Sequence, residues 1–259
     1  MAVAFFVHLA LAACIRPLPL DRRLAAGLGG AAMAMLVVAI SRFDGWPGRD
    51  WAPVAHVLAG YYLSGRTFVA PMPRVEAWLI ACDRWLLGNP SARFAAWPRA
   101  LLGLLDAAYI GCFLLVPGGF AALGAAGRAD LADSYWTMVA GAELGAFAML
   151  PYLQTRPPWV LERLAEADAA APPRPSVRFM RRATTGANTL PSGHAAGSLA
   201  VALGVIAALP ELGALLLALA FTIAAAAVVT RAHYVVDVVA GLALALAVWG
   251  AVAGVRFSG

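Results

Sequence analysis

The chain has 259 residues, 62% of them hydrophobic and 13% charged, with a formal net charge of +5. Soluble domains carry about a quarter charged residues, and at a mean hydropathy of +0.78 the apolar residues exceed what one water-soluble core holds. An ordinary soluble globular protein is excluded, and the apolar stretches read as bilayer spans.

Residues 1–15 are apolar but lack the basic leader of a secretory signal, and no small-residue cleavage site precedes the arginines at 16–23; they read as a short first span. Further apolar runs follow at 24–41, 54–70, 101–123, 135–152, 195–209, 212–230 and 236–254. The run at 54–70 is the weakest, because it carries His56 and Arg66 and is bracketed by Pro53 and Pro71. Spans must be helical, since lipid leaves no partner for open backbone. Residues 74–99 mix tryptophan with charge on a helical period, which predicts a helix lying in the interface. Residues 153–193 form the longest polar stretch, rich in arginine and proline, and a loop of that length is more often functional than idle.

The expected fold is therefore an all-α polytopic transmembrane helix bundle. It has six core helices, one or two extra N-terminal spans and an interfacial helix, divided into N-terminal spans at 1–73 and a catalytic membrane domain at 74–259. Glycine pairs at four-residue spacing, Gly141/Gly145 and Gly250/Gly254, suit close helix contact. Cys14, Cys82 and Cys112 are scattered without C-x-x-C spacing, so neither a zinc site nor a disulfide framework follows. All 19 basic residues are arginine. A GC-rich genome produces that bias too, yet it makes every cation a planar fork suited to phosphate.

Two short stretches carry chemistry: residues 188–194 (N-T-L-P-S-G-H) and residues 230–237 (T-R-A-H-Y-V-V-D), each opening an apolar helix. His233 and Asp237 lie four apart and share a helix face. A carboxylate on one imidazole nitrogen fixes the tautomer and leaves the other as a directed base or nucleophile. In the first stretch Ser192 suits an N-cap, and the free amides of the first turn, Gly193 included, suit an anion. His194 would then be placed to protonate a leaving oxygen. Taken singly, Asp237 also reads as a cap in water and His194 as an interfacial polar residue. Arg156, Arg178, Arg181, Arg182 and Arg231 border these stretches, Arg156 and Arg231 nearest the membrane ends. Guanidinium forks match phosphate and neutralise the charge of transfer. Asp106 and Glu143 fall inside apolar runs, where hydrogen bonding between helices is the expectation ahead of catalysis. His8 and His56 are given no role.

The order arginine-proline, Pro-Ser-Gly-His and His-x-x-x-Asp resembles the type 2 phosphatidic acid phosphatase superfamily, which includes the haloperoxidases. The form T-R-A-H-Y-V-V-D, with T-R-P-P-W and L-I-A-C-D-R-W-L-L-G-N-P-S, is similar to its inositol phosphorylceramide synthase branch. The resemblance covers roughly residues 74–250. It implies that His233 is the nucleophile, His194 the general acid and Asp237 the partner orienting His233. It also implies that Arg156 binds phosphate and that Ser192 with Gly193 contacts it; Arg231 and Arg182 are expected phosphate contacts on their guanidinium chemistry and their place beside the motifs. Two positions of the superfamily pattern differ: Met149 stands where its first lysine falls, and Ala227 where its third-motif arginine falls.

The expected function is a lipid phosphate phosphatase working through phosphohistidine on a lipid-linked phosphate or polyprenyl diphosphate, without metal or other cofactor and without a nucleic-acid partner. Headgroup phosphotransfer is the alternative. Transport is a distant third, because the chain shows no paired halves. The expected location is the inner membrane, multi-pass. Arg16, Arg22 and Arg23 share the motif face and would place it in the cytoplasm, whereas the resemblance implies an extracytoplasmic site.

Overall fold

A chain segment in hydrocarbon must satisfy its own backbone groups, and helices do so within one segment. The computed structural model, which describes residues 1–43, 48–165 and 174–257, is 79% helical, with no strand among the described residues. Residues 166–173, the middle of the long polar stretch, lie outside the described residues.

At the N-terminus α1 (Ala2–Ile15) and α2 (Leu20–Ser41) pack as a hairpin across a turn holding Pro17 and Pro19. After α3 (Ala52–Gly65), the segment expected in the interface forms α4 (Pro73–Leu87) and α5 (Pro90–Ala95). There follow α6 (Arg99–Ala125), α7 (Ala132–Phe147), the short α8 (Pro158–Ala165) and α9 (Pro175–Ala183), then α10 (Gly193–Ile206), α11 (Pro210–Val229) and α12 (Val235–Phe257). Among the described residues four helices are long and apolar enough to cross a membrane: α2, α6, α11 and the Val235–Ala253 part of α12. With α1 and α10 as shorter apolar helices, the chain is a multi-pass membrane bundle.

The sequence of α10 is dominated by glycine, alanine and serine, and small side chains let helix backbones approach closely. This helix accordingly sits at the centre, packed on α6, α7, α11 and α12. Ala195, Ala196, Ala200 and Ala202 are fully buried there, and Leu199, Val201 and Val205 join Phe120, Tyr135, Val139 and Ile223 in the main core. Gly141 and Gly145 on α7 face Val248 and Leu244 of α12. Large apolar side chains such as Leu28, Met35, Leu114, Phe221 and Val239 remain exposed on the outside, as a lipid-facing surface requires. The N-terminal helices join the same bundle, α1 and α3 both packing on α7.

The interfacial α4 packs against α12 and has an unusual inner stripe. Glu76, Leu79 and Asp83 are buried on one face while Trp78 and Trp85 are exposed on the other. Tryptophan suits the headgroup level of a bilayer. The two buried acids need partners from the rest of the protein, and these lie at the ends of α12 and α8.

Candidate active site

The second motif lies in the turn between α11 and α12. Arg231 adopts φ +60, a left-handed conformation that reverses the chain, and the amides of Ala232 and His233 both return to Ala227 O at 3.0 Å. Three residues into α12, the buried Asp237 folds back on this turn, its Oδ2 accepting the Tyr234 amide at 2.9 Å. A carboxylate at a helix N-terminus is favoured by the local dipole. The same oxygen lies 3.5 Å from His233 Nδ1 and accepts Asn188 Nδ2 at 2.9 Å.

The first motif enters α10 through a cis Leu190–Pro191 bond, with Ser192 as N-cap accepting from the Ala195 amide at 3.4 Å. The Ser192 amide donates to Asp237 O at 2.9 Å, which ties the starts of α10 and α12 together. The Gly193 amide reaches Thr189 Oγ1 at 3.3 Å. His194 stacks on Tyr109, ring centroids 4.8 Å apart at 15°, and meets the edge of Phe113. Its Nδ1 lies 3.4 Å from His233 Nε2, although 39 positions separate the two in the chain. A hydrogen bond of this kind needs one nitrogen protonated and the other free, so the rings form a pair able to pass a proton.

The arginines are placed otherwise. Arg156 is bound to Glu76 through Nε at 3.0 Å, Nη2 at 2.8 Å and its own amide at 2.8 Å. Arg231 is held by Glu162 at 2.7 Å and Asp83 at 2.9 Å. Arg182 is exposed on α9, as are Arg178 and Arg181. The structure therefore brings His194, His233, Asp237, Ser192 and Gly193 together, while each inward arginine of the two motif regions is engaged by carboxylates. Burial opposes charge on Glu76, but the hydrogen bonds and the charge of Arg156 outweigh it and hold the carboxyl below its ordinary value.

Asp106 pairs with Arg174 at 2.8 Å, a bond between helix and loop. His8 Nε2 contacts Ala148 O at 3.1 Å, and His56 is buried with Nε2 unbonded. Sequence reasoning gave no role to Asn188, Glu76, Asp83 or Glu162. Asn188 heads the first motif and was the one with a visible signal. The three acids lie 69 to 152 positions from what they bind.

Two cavities adjoin the motif regions, one lined by His194 and the other by Arg231 and Tyr234 on either side of His233 in the chain. One, of about 250 Å³, is largely apolar and runs between α3, α6, α7, α9 and α10, with Tyr61, Tyr62, Glu143, Thr189, His194 and Ser198 among its lining. The other, of about 500 Å³, is of mixed character, with Asp83, Arg84, Asn89, Ser91, Glu162, Arg231 and Tyr234 among its lining.

The family model described as PAP2 superfamily matches residues 77–251, more than half of the chain and both motif regions. The chain belongs to the PAP2 superfamily. Searches of curated proteins and of solved structures gave no match. Membership in the PAP2 superfamily supports an enzyme of phosphatase type acting on phosphorylated substrates. The matched span starts within α4, one residue after Glu76, and ends within α12, so it takes in Asp83 of the interfacial helix as well as the two histidines.

Proposed function

We propose that this PAP2 superfamily protein is a lipid phosphate phosphatase that works by double displacement. His233 Nε2 attacks phosphorus, the bond to the lipid oxygen breaks, and His194 gives that oxygen its proton. Water then attacks the phosphohistidine with His194 as base, inorganic phosphate leaves and His233 is restored. Asp237 holds His233 Nδ1 inward, which leaves Nε2 to react. The observation that carries this reading is the 3.4 Å approach of His194 Nδ1 to His233 Nε2 beside an apolar cavity. A phosphoryl group bridging the rings takes the place of that contact. Ser192 and Gly193 begin the helix whose first turn faces it, and Arg156, Arg231 and Arg182 are the cations that bind phosphate, the first two by exchanging carboxylate for phosphate oxygens.

A second reading is headgroup phosphotransfer, with an alcohol in place of water. The larger cavity favours it, because its Asp83, Glu162, Asn89 and Ser91 are suited to a hydroxyl-rich acceptor. We place the site on the outer side of the inner membrane, following the superfamily resemblance and against the arginine balance.

The test is phosphate release from a panel of lipid monophosphates and polyprenyl diphosphates by purified protein in micelles, with acid-quenched capture of labelled phosphohistidine. His233→Ala should lose both signals, and His194→Ala should slow turnover by about 10²–10⁴. Wild-type rates in His233→Ala would refute the assigned nucleophile. A new phosphodiester in place of phosphate would select the transferase.

A further inference from the structure

Glu143 lies on α7 in the apolar depth of the bundle and carries no hydrogen bond or ion pair to any described residue. Its place is made by the small residues of α10. A Cβ on Gly197 would land within the carboxyl group at Oε1, and one on Gly193 would come within 3.0 Å of Oε2. The carboxyl is thus seated against the first turn of α10, a residue's breadth from His194. It lines the same apolar cavity as His194 and Ser198. His194 Nε2, also unbonded, is buried at this site. A carboxyl in apolar surroundings is costly unless something donates to it. Asp106, in the middle of α6, is answered by Arg174, whereas Glu143 opens onto a space large enough for a ligand. At about 250 Å³, that space exceeds the roughly 150 Å³ apolar cavity that accepts benzene.

We propose that Glu143 is a specificity residue for lipid substrates: the cavity takes the hydrocarbon next to the phosphorylated head, and the carboxyl accepts a hydrogen bond from a hydroxyl or amide N–H a few atoms from the phosphoryl group. The inference rests on the lipid phosphatase reading and names its substrate class. In either protonation state the carboxyl keeps an acceptor oxygen. A lipid with a free hydroxyl or amide near the phosphate satisfies it. A lipid whose neighbouring oxygens are all esterified or alkylated leaves it buried without a partner, and an unmet buried polar group is penalised more than a met one is rewarded. Discrimination of about tenfold or more is expected.

The test compares 1-acylglycerol 3-phosphate, which has a free hydroxyl, with its 2-O-methyl ether, which does not, by kcat/KM for phosphate release from full-length protein in micelles. The wild type should favour the hydroxyl at least about tenfold. Glu143→Leu should bring the ratio to about one, and the near-isosteric Glu143→Gln, whose amide oxygen still accepts, should keep most of the preference. A wild-type ratio near one, or a ratio untouched by Glu143→Leu, overturns the proposal while leaving the phosphatase reading in place. If neither lipid releases phosphate, the phosphatase reading is judged on the wider panel of lipid monophosphates and polyprenyl diphosphates. Equilibrium binding of the matching radiolabelled monoacylglycerol and its methyl ether then decides: a preference lost in Glu143→Leu and kept in Glu143→Gln upholds the site, and equal binding overturns it. Thermal melts of each variant show whether it is folded.

Discussion

Asp83, on the interfacial helix, caps the helix that follows His233: its Oδ1 accepts the Val235 amide at 2.9 Å. Its other oxygen takes Arg231 Nη1 at 2.9 Å, so one side chain grips both ends of the turn that presents His233. Losing a capping oxygen costs about 1 kcal/mol, and breaking a buried ion pair on one side about 3 kcal/mol. Glu162 keeps part of the Arg231 contact. Asp83→Ala should therefore lower the thermal midpoint and cut kcat with little change in KM. Asp83→Asn keeps an acceptor for Val235 and should lie between. Equal stability of Asp83→Ala and wild type would remove the clamp.

Asp237 Oδ2 is shared between the Tyr234 amide, Asn188 Nδ2 and, at 3.5 Å, His233 Nδ1. Hydrogen bonds to charged groups contribute roughly 1.5–3 kcal/mol. Asn188→Ala should therefore free the carboxylate to swing and reduce turnover about ten- to a hundredfold, on the same principle. Asn188→Asp should be worse, since it sets two buried carboxylates against each other. Wild-type turnover in Asn188→Ala would mean that the Tyr234 amide alone fixes Asp237.

The Glu76–Arg156 bond predicts an acid-side loss of stability. Because the folded protein holds Glu76 below its ordinary value, ionised Glu76 stabilises the fold at every pH above the unfolded-state value, about 4.3. That contribution falls away as the pH drops towards the lowered folded-state value. Glu76→Gln should thus be less stable than wild type at neutral pH, and the gap should close on acidification. Thermal midpoints measured down through the carboxylate range test this, and a gap that persists in acid would assign the stability to packing.

The bundle was legible because lipid restricts the backbone to helices. The run at 101–123 lies inside α6 and the run at 212–230 nearly coincides with α11. The proline-bracketed run at 54–70 gave a helix that ends at Gly65, where the Arg66–Phe68 amides close a turn onto Leu63, Ser64 and Gly65. The meeting of the two imidazoles, 39 positions apart in the chain, belongs to the geometry. Hidden from the sequence was the engagement of Arg156 and Arg231. A salt bridge across 80 or 148 positions leaves no local pattern, and α4 reads as an ordinary amphipathic helix until Glu76 and Asp83 are seen to face inward.

The orientation is open to a direct measurement. Arg22 donates to Phe68 O, and Gln154 bridges Thr67 O and the Val69 amide, so the α1–α2 turn, the end of α3 and the motif loops share one end of the bundle. A cysteine at the exposed Arg93, with Cys14, Cys82 and Cys112 replaced by serine, should react with a membrane-impermeant maleimide on intact cells. Protection until lysis would place the site in the cytoplasm, as the arginine balance favours.

Arg231 combines a strained backbone with two ion pairs, and a pair of substitutions separates them. At φ +60 a residue with a Cβ costs about 1–2 kcal/mol relative to glycine. Both Arg231→Ala and Arg231→Gly lose the bonds to Asp83 and Glu162, leaving those acids with their remaining donors, the Val235 amide and the Ser91 hydroxyl. Between the two variants the lost side chain cancels, and only the backbone differs. Glycine, usually the weaker choice at an ordered position, should here be the more stable by about 1 kcal/mol. Both should fall below wild type, because Asp83 stays buried without its cation. Turnover should follow the same order, since the turn that needs this conformation carries His233 two residues later. Thermal midpoints and kcat of the two purified variants make the comparison. If alanine proves at least as stable as glycine, the left-handed turn is not what the chain maintains there, and the placement of His233 rests on the acids alone.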